Sequence, residues 1–205
     1  MNAKMTRKLI IVFLLMIMCL LPLSVLIADS QNDRKNGLKG DFYTSSEPGA
    51  FDFDEKKETV VTPNINFSDL ESLLEELTGQ ADDVSVRWTG QLKAEFTEDY
   101  TFSMIGDNGF RLWIDNELVI DHWVNDWDNE QKSTPISLEA GKMYDIKIEY
   151  FEDMGGSNLK LSWSSDSQPK EVIPIQNLYL PEDYSVPGPN NGGYFHRWNA
   201  SFIKI

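Results

Sequence analysis

GDNGFRLWIDNELVIDHW, residues 106–123, is the stretch on which the fold turns. Phe110, Leu112 and Ile114 alternate with Arg111, Trp113 and Asp115. In a pleated strand that spacing puts the aliphatic set on one face and the polar or amphipathic set on the other, so the strand has a core side. Asp107-Asn108-Gly109 before it and Asp115-Asn116 after it are residue types that tolerate left-handed backbone and bond their own main chain. Both ends of the strand therefore read as turns, and both turns carry oxygen ligands.

The same period extends in both directions. Tyr100 to Ile105 alternates going in; Tyr144, Ile146, Ile148 and Tyr150 alternate with Asp145, Lys147 and Glu149; Leu159, Leu161 and Trp163 repeat the pattern. Upstream, Val84, Val86, Trp88 and Leu92 alternate with Ser85, Arg87, Thr89 and Gln91. Each is a half-buried strand by its period. One segment breaks the pattern: Leu70, Leu73, Leu74 and Leu77 fall at helical spacing, Ser68 and Glu71 make a capping box, and Gly79 supplies a stop. A short helix over residues 68–79, packed on the sheets by its leucine stripe, is expected.

In order, the chain offers GLKGDFY, VRWTG, YTF, the Asp107-Asn108-Gly109 turn, RLWIDNELVIDHW, LEAGKMYDIKIEYFE, GGSNLKLSW and VIPIQNLYLP. Any one piece is common among all-β proteins, but eight in this order over residues 37–181 resemble the PA14 family, a module of bacterial toxins, glycosidases and adhesins. The helical stretch before VRWTG and the closing VIP-x-x-NLYLPEDYS also look like the PA14 domain that opens the cell-binding components of binary toxins. The resemblance implies an all-β fold, an antiparallel β-sandwich with one short α-helix, here preceded by an N-terminal apolar export helix.

The chain's ends differ from its middle. Lys4, Arg7 and Lys8 precede an almost unbroken apolar run from Leu9 to Ala28, an export signal with its positive end in the cytoplasm. Pro22 and the small residues Ala28 and Ser30 favour cleavage near residue 30; the length of the run also suits an uncleaved anchor over residues 9–28. Cys19 lies in that run behind Met18, which argues against lipid attachment, and as the single cysteine it leaves the exported part without a disulfide. The expected organisation is thus a signal peptide or anchor (1–30), a tether (31–36), the PA14-like sandwich (37–181), and a Pro/Gly/Asn-rich linker with a short tail (182–205) that is either a surface tail or the start of a further domain. Residues 45–58 read as an acidic loop anchored by Phe51 and Phe53.

The formal charge is −15, and it becomes −17 without residues 1–30, which carry Lys4, Arg7 and Lys8 against Asp29. Such a surface repels nucleic acid and anionic lipid and tolerates calcium and neutral sugars. Nucleic acid is not an expected partner, and a membrane is one only through an uncleaved N-terminal segment.

Three loops could hold chemistry. In the PA14 lectins of adhesins, the turn matching Gly106 to Gly109 carries two aspartates joined by a cis peptide that hold calcium, and the calcium binds sugar hydroxyls. The pair here is Asp107-Asn108, one carboxylate fewer, though Asn108 keeps a carbonyl oxygen. Calcium at Asp107 and Asn108 and a plain Asp-Asn-Gly hairpin turn are both open. The loop from Asn125 to Glu130 has alternating Asp126 and Asp128 but lacks the glycine and distant glutamate of an EF-hand, so an exposed acidic loop fits it better. Trp123 and Trp127 flank it; Trp127 is the better candidate for an exposed indole on which a sugar stacks. The resemblance also makes Asp153 and Asn158, in the loop 152–158, candidate ligands, against a flexible connection that Gly155 and Gly156 already explain.

Catalysis has little support. His122 and His196 are the only histidines, no nucleophile pairs with a base, and no zinc spacing, phosphate loop or nucleophile elbow occurs. The expectation is a non-enzymatic, secreted or surface-held module that binds carbohydrate or another cell-surface ligand through Asp107, Asn108, Trp127, Asp153 and Asn158, with calcium assisting. The alternative is a stand-alone or truncated homologue of the leading domain of a binary-toxin component, with a structural or assembly role.

Overall fold

The computed structural model describes residues 35–185. The export segment, Cys19, His196 and most of the linker and tail lie outside the described residues. Within them the chain is a sandwich of antiparallel strands. One sheet runs β2 (Glu55–Thr62), β1 (Leu38–Thr44), β4 (Val84–Lys93), β10 (Met143–Glu152), β6 (Phe110–Ile114), β7 (Glu117–His122), with β13 (Leu178–Tyr179) also on β4. The other runs β12 (Glu171–Val172), β11 (Asn158–Ser164), β5 (Glu98–Asp107), β8 (Gln131–Lys132), with β3 (Asn66–Phe67) on β11 and β9 (Ile136–Leu138) on β5.

Each expected alternation becomes a core face. Phe110, Leu112 and Ile114 are buried while Arg111 and Trp113 are half-buried on the opposite side of β6. Trp88 and Tyr150 from one sheet and Tyr100, Phe102, Leu161 and Trp163 from the other are fully enclosed between the layers. At about 25 cal/mol per Å² of apolar surface removed from water, these large side chains supply the main drive for folding in a domain without disulfides. On the outer face of the first sheet, Glu149 sits among Arg87 (2.8 Å), Lys147 (3.8 Å) and Arg111 (4.0 Å), which compensates a carboxylate that is only 5% exposed.

The helix α1 runs from Glu71 to Thr78, and Leu70, Leu74 and Leu77 are buried in the core as their spacing requires. Gly79 ends it in the left-handed conformation (φ 86°), its N–H on the Glu75 carbonyl at 2.9 Å. The expected Ser68–Glu71 capping box does not form. Leu70 stands at the N-cap with no side-chain cap, Asp69 Oδ1 accepts the Glu71 N–H (2.9 Å), and the Leu70 N–H reaches Ser157 instead. Burying Leu70 completely fixes where the helix starts, and that constraint outweighs the cap. The acidic loop is shorter than expected because β2 begins at Glu55; Phe51 stacks on Phe151 (4.1 Å between centroids) and Phe53 meets Tyr43 edge-on (5.3 Å), both anchoring it.

The two turns around β6 are of different kinds. Asp115 and Asn116 both take positive φ (47° and 66°) and join β6 to β7 in a tight hairpin, as their residue types suggest. Asp107-Asn108-Gly109 is not a hairpin, because β5 and β6 belong to different sheets. It is the corner at which the chain crosses from one layer of the sandwich to the other, and the plain hairpin reading is thereby corrected.

Candidate functional site: the corner between the sheets

Three loops meet at the end of β5. The corner itself is bonded to β10: the Asn108 N–H donates to the Phe151 carbonyl (3.3 Å), and the Phe151 N–H donates to the Gly109 carbonyl (2.9 Å). The Asp107–Asn108 peptide is cis. Gly109 is required by space, since a Cβ there would lie 2.2 Å from Cε1 of Phe151. That ring cannot yield easily, being sandwiched between Phe51 and Trp123. Gly109→Ala is expected to cost about 1–3 kcal/mol of stability in urea titration, the range for overpacking a filled site; an unchanged midpoint would show that the ring has room to move.

The loop after β7 lies along the same edge. Asp107 and Trp127 form an isolated antiparallel bridge, and the Asp128 N–H donates to the Gly106 carbonyl at 3.1 Å. His122 Nε2 lies 2.7 Å from Asp126 Oδ1, and Asn129 donates to the other carboxylate oxygen (3.2 Å); the His122 bond, with that from Asn129, holds the Asp126 carboxyl below its usual range. Asp126 is therefore committed to shaping its own loop. Trp123 is half-buried under Arg111 (4.4 Å) and against Phe151 (4.8 Å), whereas Trp127 is 68% exposed.

The third loop, between β10 and β11, is set by the helix. Leu70 donates its N–H to the carbonyl (2.9 Å) and hydroxyl (3.2 Å) of Ser157, Asp83 donates to the Asp153 carbonyl (3.1 Å), and Gly155 donates to Asp82 Oδ1 (3.3 Å). The Asp153 N–H is thereby delivered to Asn108 Oδ1 at 2.8 Å.

Where these loops meet, side chains close a network. Asn108 Nδ2 donates to Asp107 Oδ1 (2.9 Å) and to Asn125 Oδ1 (2.9 Å), and Asn125 Nδ2 donates to Asp153 Oδ2. Burial pushes the Asp107 carboxyl above its ordinary range, and the charges of Asp128 and Asp126 push it the same way. Beneath the corner, the Tyr150 hydroxyl meets both the Asp107 carbonyl and Glu152 Oε2 (2.8 Å). Glu152 is 1% exposed, and burial, with the charges of Asp107, Asp82 and Asp153, lifts its carboxyl to about 8. A hydroxyl has one proton and a carbonyl can only accept, so the contact to Glu152 is satisfied when Glu152 is the protonated partner.

Of the five residues expected to form the site, Asp107, Asn108 and Asp153 are joined directly or through one intermediary, and Trp127 is bridged to Asp107 by backbone. Asn158 stands opposite Asp107 in the β5–β11 register, but among the described residues no hydrogen bond ties its side chain to the network. Asn125 was not expected. Its signal lay in the oxygen-rich stretch 125–130, where Asn125 is one of several side-chain oxygens and nothing in the sequence singles it out. Among the described residues, no three His, Cys, Asp or Glu side chains converge as a metal-holding group.

Comparison with known proteins agrees with this architecture. The PA14 domain family matches residues 34–177. Anti-sigma-I factor RsgI3 of Acetivibrio thermocellus is 39% identical over 163 residues, 80% of this chain and 24% of that protein. Protective antigen of Bacillus anthracis is 37% identical over 101 residues, 48% of this chain and 12% of the toxin component. The chain thus spans a quarter or less of the length of these curated relatives. A PA14 sugar-binding domain from an RTX adhesin superposes with a TM-score of 0.59 at 18% identity, covering 71% of this chain and 99% of the domain, which is a likeness of fold. By the match over residues 34–177, together with the sandwich and its corner, the chain belongs to the PA14 domain family.

Proposed function

We propose that this chain is a non-catalytic PA14 module, secreted or held at the outer face of the membrane, that binds carbohydrate at the corner between its sheets. The observation that carries the reading is Trp127: an indole 68% exposed to water, yet pinned by a backbone bridge to Asp107. The bridge keeps the residue beside the corner, and an exposed indole offers a flat apolar face next to hydrogen-bond acceptors, the mixture a small polar ligand needs. A sugar ring has the matching chemistry, with C–H groups for the indole face and hydroxyls that donate to the carboxylates of Asp107 and Asp153 beside it. The anti-sigma-I likeness is compatible with this, since a ligand-receiving domain can be one part of a regulatory chain.

Calorimetry against a panel of neutral mono- and oligosaccharides tests the reading. Trp127→Ala is expected to weaken binding of the best sugar about tenfold or more, roughly 1.4 kcal/mol, with the urea midpoint unchanged because the side chain is exposed. Absence of heat with every sugar, or a Trp127→Ala variant that binds as well as the parent, removes it. The second reading, a structural or assembly role within a longer chain, draws on the identity with protective antigen and expects every sugar to be ignored.

A further inference from the structure

The corner differs from a cation site by the orientation of one buried amide. Asn108 is 3% exposed, and its Oδ1 accepts the backbone N–H of Asp153. Only the carbonyl end of an amide can accept from an N–H, so this bond fixes which way the group points. The NH₂ end is consequently turned inward, 2.9 Å from Asp107 Oδ1 and 2.9 Å from Asn125 Oδ1. Asn125, held in that position, directs its own NH₂ to Asp153 Oδ2. Calcium takes oxygen ligands alone. Here a nitrogen carrying two protons stands where a cation would have to stand to gather the same two oxygens.

We propose that the Asn108 amide replaces a calcium ion as the group that draws the Asp107, Asn125 and Asp153 loops together, so that the corner is assembled without metal and binds its ligand without metal. The residue set present does not fit calcium, because the NH₂ of Asn108 and not an oxygen faces Asp107 Oδ1 and Asn125 Oδ1. Asp107 Oδ1 and Asn125 Oδ1 each receive a proton from Asn108 instead. An aspartate at position 108 would behave differently. One of its oxygens would keep the Asp153 N–H, and the other would face Asp107 Oδ1 and Asn125 Oδ1, three oxygens closing on one point. That arrangement is repulsive when empty and attractive to a divalent ion. The loop-assembling half of the proposal stands on the hydrogen bonds alone; the ligand half rests on the carbohydrate reading above.

Titration of the full chain with calcium chloride, followed by calorimetry and by melting temperature, separates the two halves. The parent chain is expected to give no saturable calcium heat up to millimolar concentration and the same melting temperature with calcium or with a chelator. Asn108→Asp is expected to bind one calcium at least tenfold more tightly than the parent, and to melt several degrees higher with calcium than with chelator. A parent chain that takes up one calcium at micromolar concentration overturns the proposal, as does a folded Asn108→Asp variant that gains no calcium. If Asn108→Asp fails to fold without metal, the parent titration decides by itself, and recovery of the variant by calcium during refolding supports the proposal. Sugar binding that persists in chelator supports the ligand half and sugar binding lost in chelator overturns it, whereas no sugar binding under either condition removes the carbohydrate reading and leaves the calcium titration to decide the assembly half.

Discussion

Phe151→Ala is expected to lower the free energy of unfolding by about 3–5 kcal/mol, the range for deleting a buried aromatic ring that the structure cannot collapse around. The ring is 2% exposed, stacked on Phe51 at 4.1 Å, met edge-on by Trp123 at 4.8 Å, and fitted into the space left by the missing side chain of Gly109. Its loss removes more than apolar area. Phe51 anchors the loop before β2, and Trp123 anchors the loop carrying Trp127, so two segments lose the same support. The backbone of Phe151 still bonds Asn108 and Gly109 in the variant, which keeps the corner attached to β10. A urea midpoint that falls steeply is the expected pattern. A loss under 1 kcal/mol would mean that Phe51 and Trp123 close the cavity between them.

Phe151 packs on loop residues apart from the main cluster between the sheets, and that division marks how much of this molecule could be read from its sequence. Strand faces follow from a period of two, and burial agrees residue by residue at Phe110, Leu112 and Ile114. The helix end is equally local, because glycine takes the left-handed conformation found at Gly79 without steric cost. Features that depend on which sheet a strand joins were not legible. Asp107-Asn108-Gly109 has the composition of a hairpin turn, and nothing within it says that β5 and β6 are in different layers. The helix start was missed for the same reason, since Leu70 answers to Ser157, 87 residues away. Candidate site residues near the corner, Asp107, Asn108 and Asp153, came from family likeness. Asn125 needed the loop 123–130 to be laid against β5, and the direction of the Asn108 amide needed the Asp153 N–H to be in place.

Glu152 gives the clearest pH dependence. Its ordinary value is 4.5 and in the folded chain it is raised to about 8, first by burial and then by the charges of Asp107, Asp82 and Asp153. Below 4.5 the carboxyl is protonated whether the chain is folded or not, and pH has no leverage through it. Between 4.5 and 8 the unfolded chain gives up the proton while the folded chain keeps it, so the folded state binds more protons and stability falls as pH rises. Above 8 the folded chain must also ionise the group, and the whole penalty, on the order of 5 kcal/mol, is present. Glu152→Gln should abolish this dependence. The amide is permanently neutral, and its NH₂ can donate to the Tyr150 hydroxyl, which continues to donate to the Asp107 carbonyl. Buried Oε1 has no partner in the parent chain, so Gln creates no new orphan there. Urea unfolding at pH 5, 7 and 8.5 should show parent and variant nearly matched at the lowest pH, with the variant progressively more stable above it. The difference between the two curves cancels Asp107 and the other surface carboxylates, which titrate in both. Parallel curves would mean that Glu152 is ionised in the fold and that the Tyr150 proton points at it, leaving the Asp107 carbonyl without that donor.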